Sequence, residues 1–310
     1  MNAIAFDDLS VQAQRPRLGV LRQAAAAGIC LVAGCAALAP RWLADDLLKA
    51  AVGVVLAGAY LGLALFARRS VSLRPYWQVL FAFFVFAVVQ VLNNTLPGFV
   101  SANVLHDAPN PGNPFASTIG GTVAIQLLET LIAVVPILAL AKVAGIDLGS
   151  IYLRKGVVGK WLLLAVAFFV AMYVFTATIP LRPGSFAERL LPTNGTLTVA
   201  RFIALSPALI VISLTNGFEE ELLFRGLFLQ RYTWLFGAVV ANVLQAAVFA
   251  FAHLGVSYTP SALVFVALIV FPLGLAAGYL MRATNSILTP LIVHGALDMA
   301  IYLTFLTYVS

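Results

Sequence analysis

Apolar residues run along this chain in stretches too long for a water-soluble fold. Those near 24–40, 47–67, 76–92, 119–141, 158–180, 202–230, 234–254, 261–281 and 286–306 hold few charges. A helix needs about 20 apolar residues to cross hydrocarbon. Backbone polar groups find no water there, so the spans must satisfy them internally, as helices. The pattern predicts an all-α fold, a polytopic transmembrane helical bundle of eight or nine spans, eight if 24–40 only skims the surface. Composition points the same way: 62% of residues are hydrophobic and 10% charged, against about 25% charged in soluble domains. That balance excludes a soluble enzyme, a disordered chain and a nucleic-acid-binding domain.

The charge of +6 then concerns topology. With the N-terminus inside, the inner segments hold Arg15, Arg17, Arg22, Arg68, Arg69, Arg74, Lys142, Arg154, Lys155, Lys160, Arg225, Arg231 and Arg282. The outer ones hold Arg41, Lys49, Arg182, Arg189 and Arg201. The excess on one side predicts a cytoplasmic N-terminus, although the 181–201 loop puts three arginines outside. Arg15, Arg17 and Arg22 before an apolar run, with Ala37-Leu38-Ala39 after it, have the shape of a signal peptide. Pro40 directly after that site disfavours cleavage, so the run is read as a retained first span. Cys30 and Cys35 lie within that run and read as small apolar fillers.

Residues 93–118 carry no Lys or Arg and are rich in Asn, Pro and Gly. They read as an outer loop in which His106 and Asp107 are solvated. Gly58 and Gly62 form a GxxxG, whose mechanism is close helix packing. Glu129, within a span, reads as a protonated, hydrogen-bonded structural carboxyl.

The C-terminal third is different. It sets polar groups in or beside apolar helices: Asn216-Gly217-Phe218-Glu219-Glu220-Glu221, followed by Arg225; Phe249 with His253; Asn285; and His294 with Asp298. Consecutive glutamates point about 100° apart on a helix, so the three cannot share one face. Glu221 and Arg225, at i and i+4, can pair, and His294 and Asp298 share a face. Glu220 and His294 each lie about 16–18 Å along their helices from Arg231 and Arg282, so antiparallel helices bring them to similar depth. His253, about 30 Å past Tyr232-Thr233, needs a tilted, broken or cytosol-starting helix. A desolvated carboxylate, imidazoles and a stabiliser of the oxyanion are the parts of peptide hydrolysis. Glu220, His253 and His294 are equally a candidate set for a divalent metal such as zinc.

Glu220-Glu221-x-x-x-Arg225, Phe249-x-x-x-His253 and His294-x-x-x-Asp298, in that order, resemble the motif series of the CPBP intramembrane proteases (CAAX-protease and bacteriocin-processing, also called ABI). The resemblance implies a protease core over 119–310 and leaves 1–118 as an N-terminal transmembrane scaffold. It implies Glu220 as the base that activates water, His253 as the ring that holds this water, and His294 with Asp298 as stabilisers of the oxyanion. Glu221 and Arg225 would be a supporting pair, with Phe249 beside them. It leaves metal dependence open. The prenyl-protein branch has Asn where this chain has Asp298. Asn donates a hydrogen bond at any pH and Asp only when protonated, which weakens the case for a CAAX substrate.

The function expected is an intramembrane endopeptidase of a bacterial inner membrane. Its partners would be membrane lipid and a hydrophobic or lipidated peptide or protein, with no nucleic acid. Two alternatives use the same residues: a non-catalytic interaction or bacteriocin-immunity protein, and a proton-coupled transporter.

Overall fold

A computed structural model describes residues 19–110, 113–157, 159–178, 197–254 and 260–309. Arg15, Arg17, Arg182 and Arg189, which entered the topology count, lie outside the described residues. The fold is an all-α polytopic bundle. The described residues contain no strand, only an isolated bridge between Asn110 and Asn113.

Among the described residues, eight helical segments are long and apolar enough to cross a membrane: Val20–Trp42, Asp46–Arg69, Arg74–Asn103, Ile119–Val143, Gly159–Thr178, Val199–Phe236, Leu263–Thr284 and Leu288–Thr307. The chain is an integral, multi-pass membrane protein. The doubt between eight and nine spans falls on Ala238–His253, a helix of 16 residues, and not on 24–40. The segment 93–118 also holds more structure than its composition predicts. Leu96–Asn103 is helical, because Pro97 sits in the first turn, where a missing N–H costs nothing.

The helices are α1 (Val20–Leu38), α2 (Asp46–Arg69), α3 (Trp77–Asn93), α4 (Leu96–Asn103), α5 (Ile119–Val143) and α6 (Gly159–Thr178). Then come α7 (Val199–Glu220), α8 (Leu229–Phe236), α9 (Ala238–His253), α10 (Pro260–Phe265), α11 (Phe271–Thr284) and α12 (Leu288–Thr307). A π-helical turn, Glu221–Gly226, joins α7 to the segment before α8. The chain divides into two units: 1–91 with 223–279, and 92–222 with 280–310.

In the first unit, α1 lies along α9. Gly34 makes this possible, since a Cβ there would meet a Val248 methyl at 2.7 Å. Gln23 Nε2 donates to Phe236 O at one end (3.2 Å), and Arg41 Nη1 to Ala252 O at the other (3.0 Å). Gly237, at φ 85°, reverses the chain between α8 and α9. Gly53 packs against Val91, whereas Gly58 and Gly62 meet nothing within 4 Å. The predicted GxxxG contact is therefore not made among the described residues, and the glycine at closer quarters lies one turn earlier. Cys30 and Cys35 are free.

In the second unit, a core of Leu205, Leu209 and Ile212 from α7 packs on Ala296, Met299, Leu303 and Leu306 from α12. The turn before α12 is held by the segment before α6. Ile287 N donates to Tyr152 O (3.1 Å) and Val157 N to Thr284 O (2.7 Å). Ser286 Oγ donates to Arg154 O (2.8 Å), and Arg154 donates through Nη2 to the Asn285 side chain. Asn285 takes φ 52°, a left-handed conformation that Asn tolerates better than most residues. Its place before the last span is thus a turn requirement.

At the other end, Arg201 Nη2 donates to Thr307 O (2.9 Å) and Asn110 Nδ2 to Tyr308 O (3.0 Å). His106 is exposed, but Asp107 is buried rather than solvated. Asp107 Oδ1 accepts from Ser117 N (2.7 Å) and Ser117 Oγ (2.5 Å), and Oδ2 accepts from Thr118 Oγ1. Thr118 in turn caps α5 by accepting from Gly121 N (3.0 Å). These donors, Ser117 first, hold the Asp107 carboxyl below its ordinary range. A carboxyl depressed in the folded state contributes stability above its unfolded pKa and loses it as pH falls through the folded value. Asp107→Asn will therefore lower the melting temperature of the detergent-solubilised protein at pH 7. The gap to wild type will narrow as the pH is taken below the ordinary carboxylate range.

Candidate active site

Thr198 caps the start of α7, accepting from Arg201 N at 3.1 Å. At the other end, α7 and α12 cross on two glycines. A Cβ on Gly217 would lie 3.0 Å from Leu291 O and 3.1 Å from Gly295 N; one on Gly295 would lie 2.9 Å from Ser213 O. Backbone therefore meets backbone. That closeness brings the acidic end of α7 beside His294.

The His294 ring is bracketed by neighbouring glutamates. Nδ1 lies 2.8 Å from Glu221 Oε1, and Nε2 lies 3.3 Å from Glu220 Oε2. Successive helix positions do diverge, as the sequence predicts. An imidazole, however, offers nitrogens on two edges, and glutamate side chains are long enough to reach one each. An ionised carboxylate only accepts, so Nδ1 carries a proton toward Glu221. Nε2 then shares its proton or its lone pair with Glu220. Asp298 Oδ1 stands 3.7 Å from Nε2, and Asp298 Oδ2 accepts from Asn216 Nδ2 at 2.9 Å.

Burial separates the three glutamates. Glu221 is fully buried and Glu219 is 6% exposed, while the Glu220 side chain keeps 19%. Glu219 turns away from His294. Its carboxylate accepts from Asn93 Nδ2 (3.3 Å) and Gln126 Nε2 (3.4 Å), and Gln126 Oε1 accepts from Tyr302 OH (2.9 Å). Amides from two other helices thus satisfy the one carboxylate of the three that has no imidazole. Glu129 is half-buried on α5.

The remaining motif residues lie in the first unit. The Arg225 guanidinium sits 4.0 Å over the Phe249 ring, a cation–π contact. Phe224 meets the same ring edge-on at 5.2 Å. His253 is the last residue of α9, one turn beyond Phe249, and its Nδ1 lies 2.9 Å from Phe249 O. A carbonyl accepts only, so Nδ1 carries the proton and Nε2 keeps the acceptor lone pair. α9 starts afresh after Gly237 and ends at His253.

Asn216, Gly217, Gly295, Asn93 and Gln126 were not assigned roles from the sequence. Asn216 and Gly217 stand beside the acidic motif, Gly295 beside His294, and Gln126 is a polar residue three places before Glu129 inside a span. Among the described residues, no group of three or more His, Cys, Asp or Glu side chains is arranged to hold a metal ion. Both nitrogens of His294 are directed at carboxylates.

Residues 202–300 match the profile of a family described as type II CAAX prenyl endopeptidase Rce1-like. That description is of a CAAX-type endopeptidase family, in keeping with the resemblance of the motif series. The matched segment, roughly a third of the chain, contains all seven motif residues from Glu220 to Asp298. No curated protein gives a significant match, and neither does a solved structure.

Gly217→Ala and Gly295→Ala each force backbone apart at the crossing. Each will cost about 1–3 kcal/mol of stability, read as a lower melting temperature in detergent. Ala at Gly58, where nothing lies within 4 Å, will leave it near wild type.

Proposed function

We propose that this protein is an intramembrane endopeptidase that hydrolyses peptide bonds of membrane-associated or hydrophobic proteins through a water activated by Glu220. The observation that carries the reading is the bracketed imidazole. Of the glutamates touching His294, one is sealed and the other keeps access. A general base needs both a fixed geometry and a path to water.

In the proposed reaction Glu220 takes a proton from water as its oxygen attacks the scissile carbonyl carbon. The carbonyl π pair moves onto oxygen. On collapse the carbon–nitrogen bond breaks, and the leaving nitrogen receives the proton held by Glu220. His294, anchored through Nδ1 by Glu221, holds the Glu220 carboxylate through Nε2. Asp298 faces the same nitrogen. The support for His253 as the water-holding ring is its motif and its tautomer, which leaves an acceptor at Nε2. No step of this reading runs through a metal. The Lys and Arg asymmetry supports a cytoplasmic N-terminus, and the motif resemblance supports a bacterial inner membrane.

The test compares new protein termini, by mass spectrometry, in membranes carrying wild type or Glu220→Gln. Glu220→Gln will accumulate in the membrane normally and slow formation of the dependent fragments by roughly 10²–10⁴-fold. Equal fragment patterns would remove the hydrolase reading. The wild-type rate will persist after a divalent chelator. Loss on chelation with recovery on adding Zn²⁺ would overturn the metal-free mechanism.

A further inference from the structure

The mechanism above needs a hydrogen-bond donor for the oxygen that becomes negative. The resemblance gives that task to His294 and Asp298, but both are turned toward other side chains. His294 directs Nδ1 at Glu221 and Nε2 at Glu220. Asp298 accepts on Oδ2 from Asn216 and turns Oδ1 toward Nε2. An ionised Asp298 at the oxyanion would repel it.

Asn216 has what the others lack. It lies one helical turn before Glu220 on α7, so the two share a face. Its amide nitrogen carries two hydrogens. One goes to Asp298 at 2.9 Å, and among the described residues the other finds no protein acceptor. The residue is half-buried. Its bond to Asp298 fixes the plane of the amide, so the second N–H is held in advance of the reaction. A preorganised neutral donor of this kind costs no reorganisation as charge develops.

Resting on the endopeptidase reading, we propose that the second N–H of Asn216, aligned by Asp298, donates to the oxyanion formed when Glu220 activates water. Asn216 is then a catalytic residue, and Asp298 its positioning residue.

The experiment uses membranes carrying the full chain, with their own proteome as substrate. New termini that depend on Glu220 are timed between pH 5.5 and 8. Asn216→Ala will form them roughly 10²–10³-fold more slowly than wild type. Asn216→Asp, which has a hydrogen to donate only when protonated, will be comparably slow at pH 8. It will gain on wild type as the pH falls. The groups facing position 216 in that titration are Asp298 and His294 on α12 and Glu220 on its own helix; a merely structural amide predicts no change of profile. Wild-type rates in Asn216→Ala would overturn the assignment and leave the protease reading intact. Absence of any Glu220-dependent termini would overturn that reading, and this one with it. Should Asn216→Ala fail to accumulate, the near-isosteric Asn216→Asp decides alone, and a pH profile parallel to wild type would refute the proposal.

Discussion

Two hydrogen atoms, standing where side chains would be at Gly217 and Gly295, set the distance on which the candidate site rests. With backbone against backbone, α7 and α12 come close enough for Glu220 and Glu221 to reach one ring. Helices crossing on larger residues would sit about 8–10 Å apart between axes. An imidazole would then meet at most the tip of one carboxylate. The crossing is also economical in a bilayer, where apolar side chains gain nothing by leaving lipid tails and close packing has to supply the attraction. The clip between 152–157 and 284–287 bears on the same contact from the end of α12, since it fixes where that helix begins.

The polar groups around the crossing follow one rule: each buried carboxyl has a donor matched to it. Glu221 has His294, Asp298 has Asn216, and Glu219 has the amides of Asn93 and Gln126. In hydrocarbon an unmatched charge is costly; Glu220 and Glu221 share the His294 ring, and Glu219 has the two amides. Glu220 is the one with access, and in a site built for chemistry that difference separates a worker from its supports.

Much of this was legible in the sequence. Apolar runs of about 20 residues are a one-dimensional signal, because the bilayer imposes the length, and the spans fell close to their observed places. The motif residues were legible because Glu, His and Asp are expensive inside a membrane. What escaped depended on which helices face one another. Gly58 and Gly62 carry the familiar spacing and meet nothing, while Gly217 and Gly295 carry no internal spacing signal because their partner is on another helix. Asn93 looked like a loop former, since nothing in one dimension brings it to Glu219. Asp107 looked solvated because its donors, Ser117 and Thr118, lie ten places on. The divergence of adjacent glutamates was legible, but not that two of them would meet the two edges of one ring.

The helix that ends in His253 has one more implication. Sixteen residues rise about 24 Å, less than the roughly 30 Å of a typical hydrocarbon layer. One of its ends must lie within the oily slab, or the leaflets must pucker toward it. The guanidinium of Arg41 donates to the carbonyl of Ala252 near one end of that helix. Such a protein is tuned to bilayer thickness, and lipid tail length becomes a variable in its behaviour just as pH is for a soluble hydrolase.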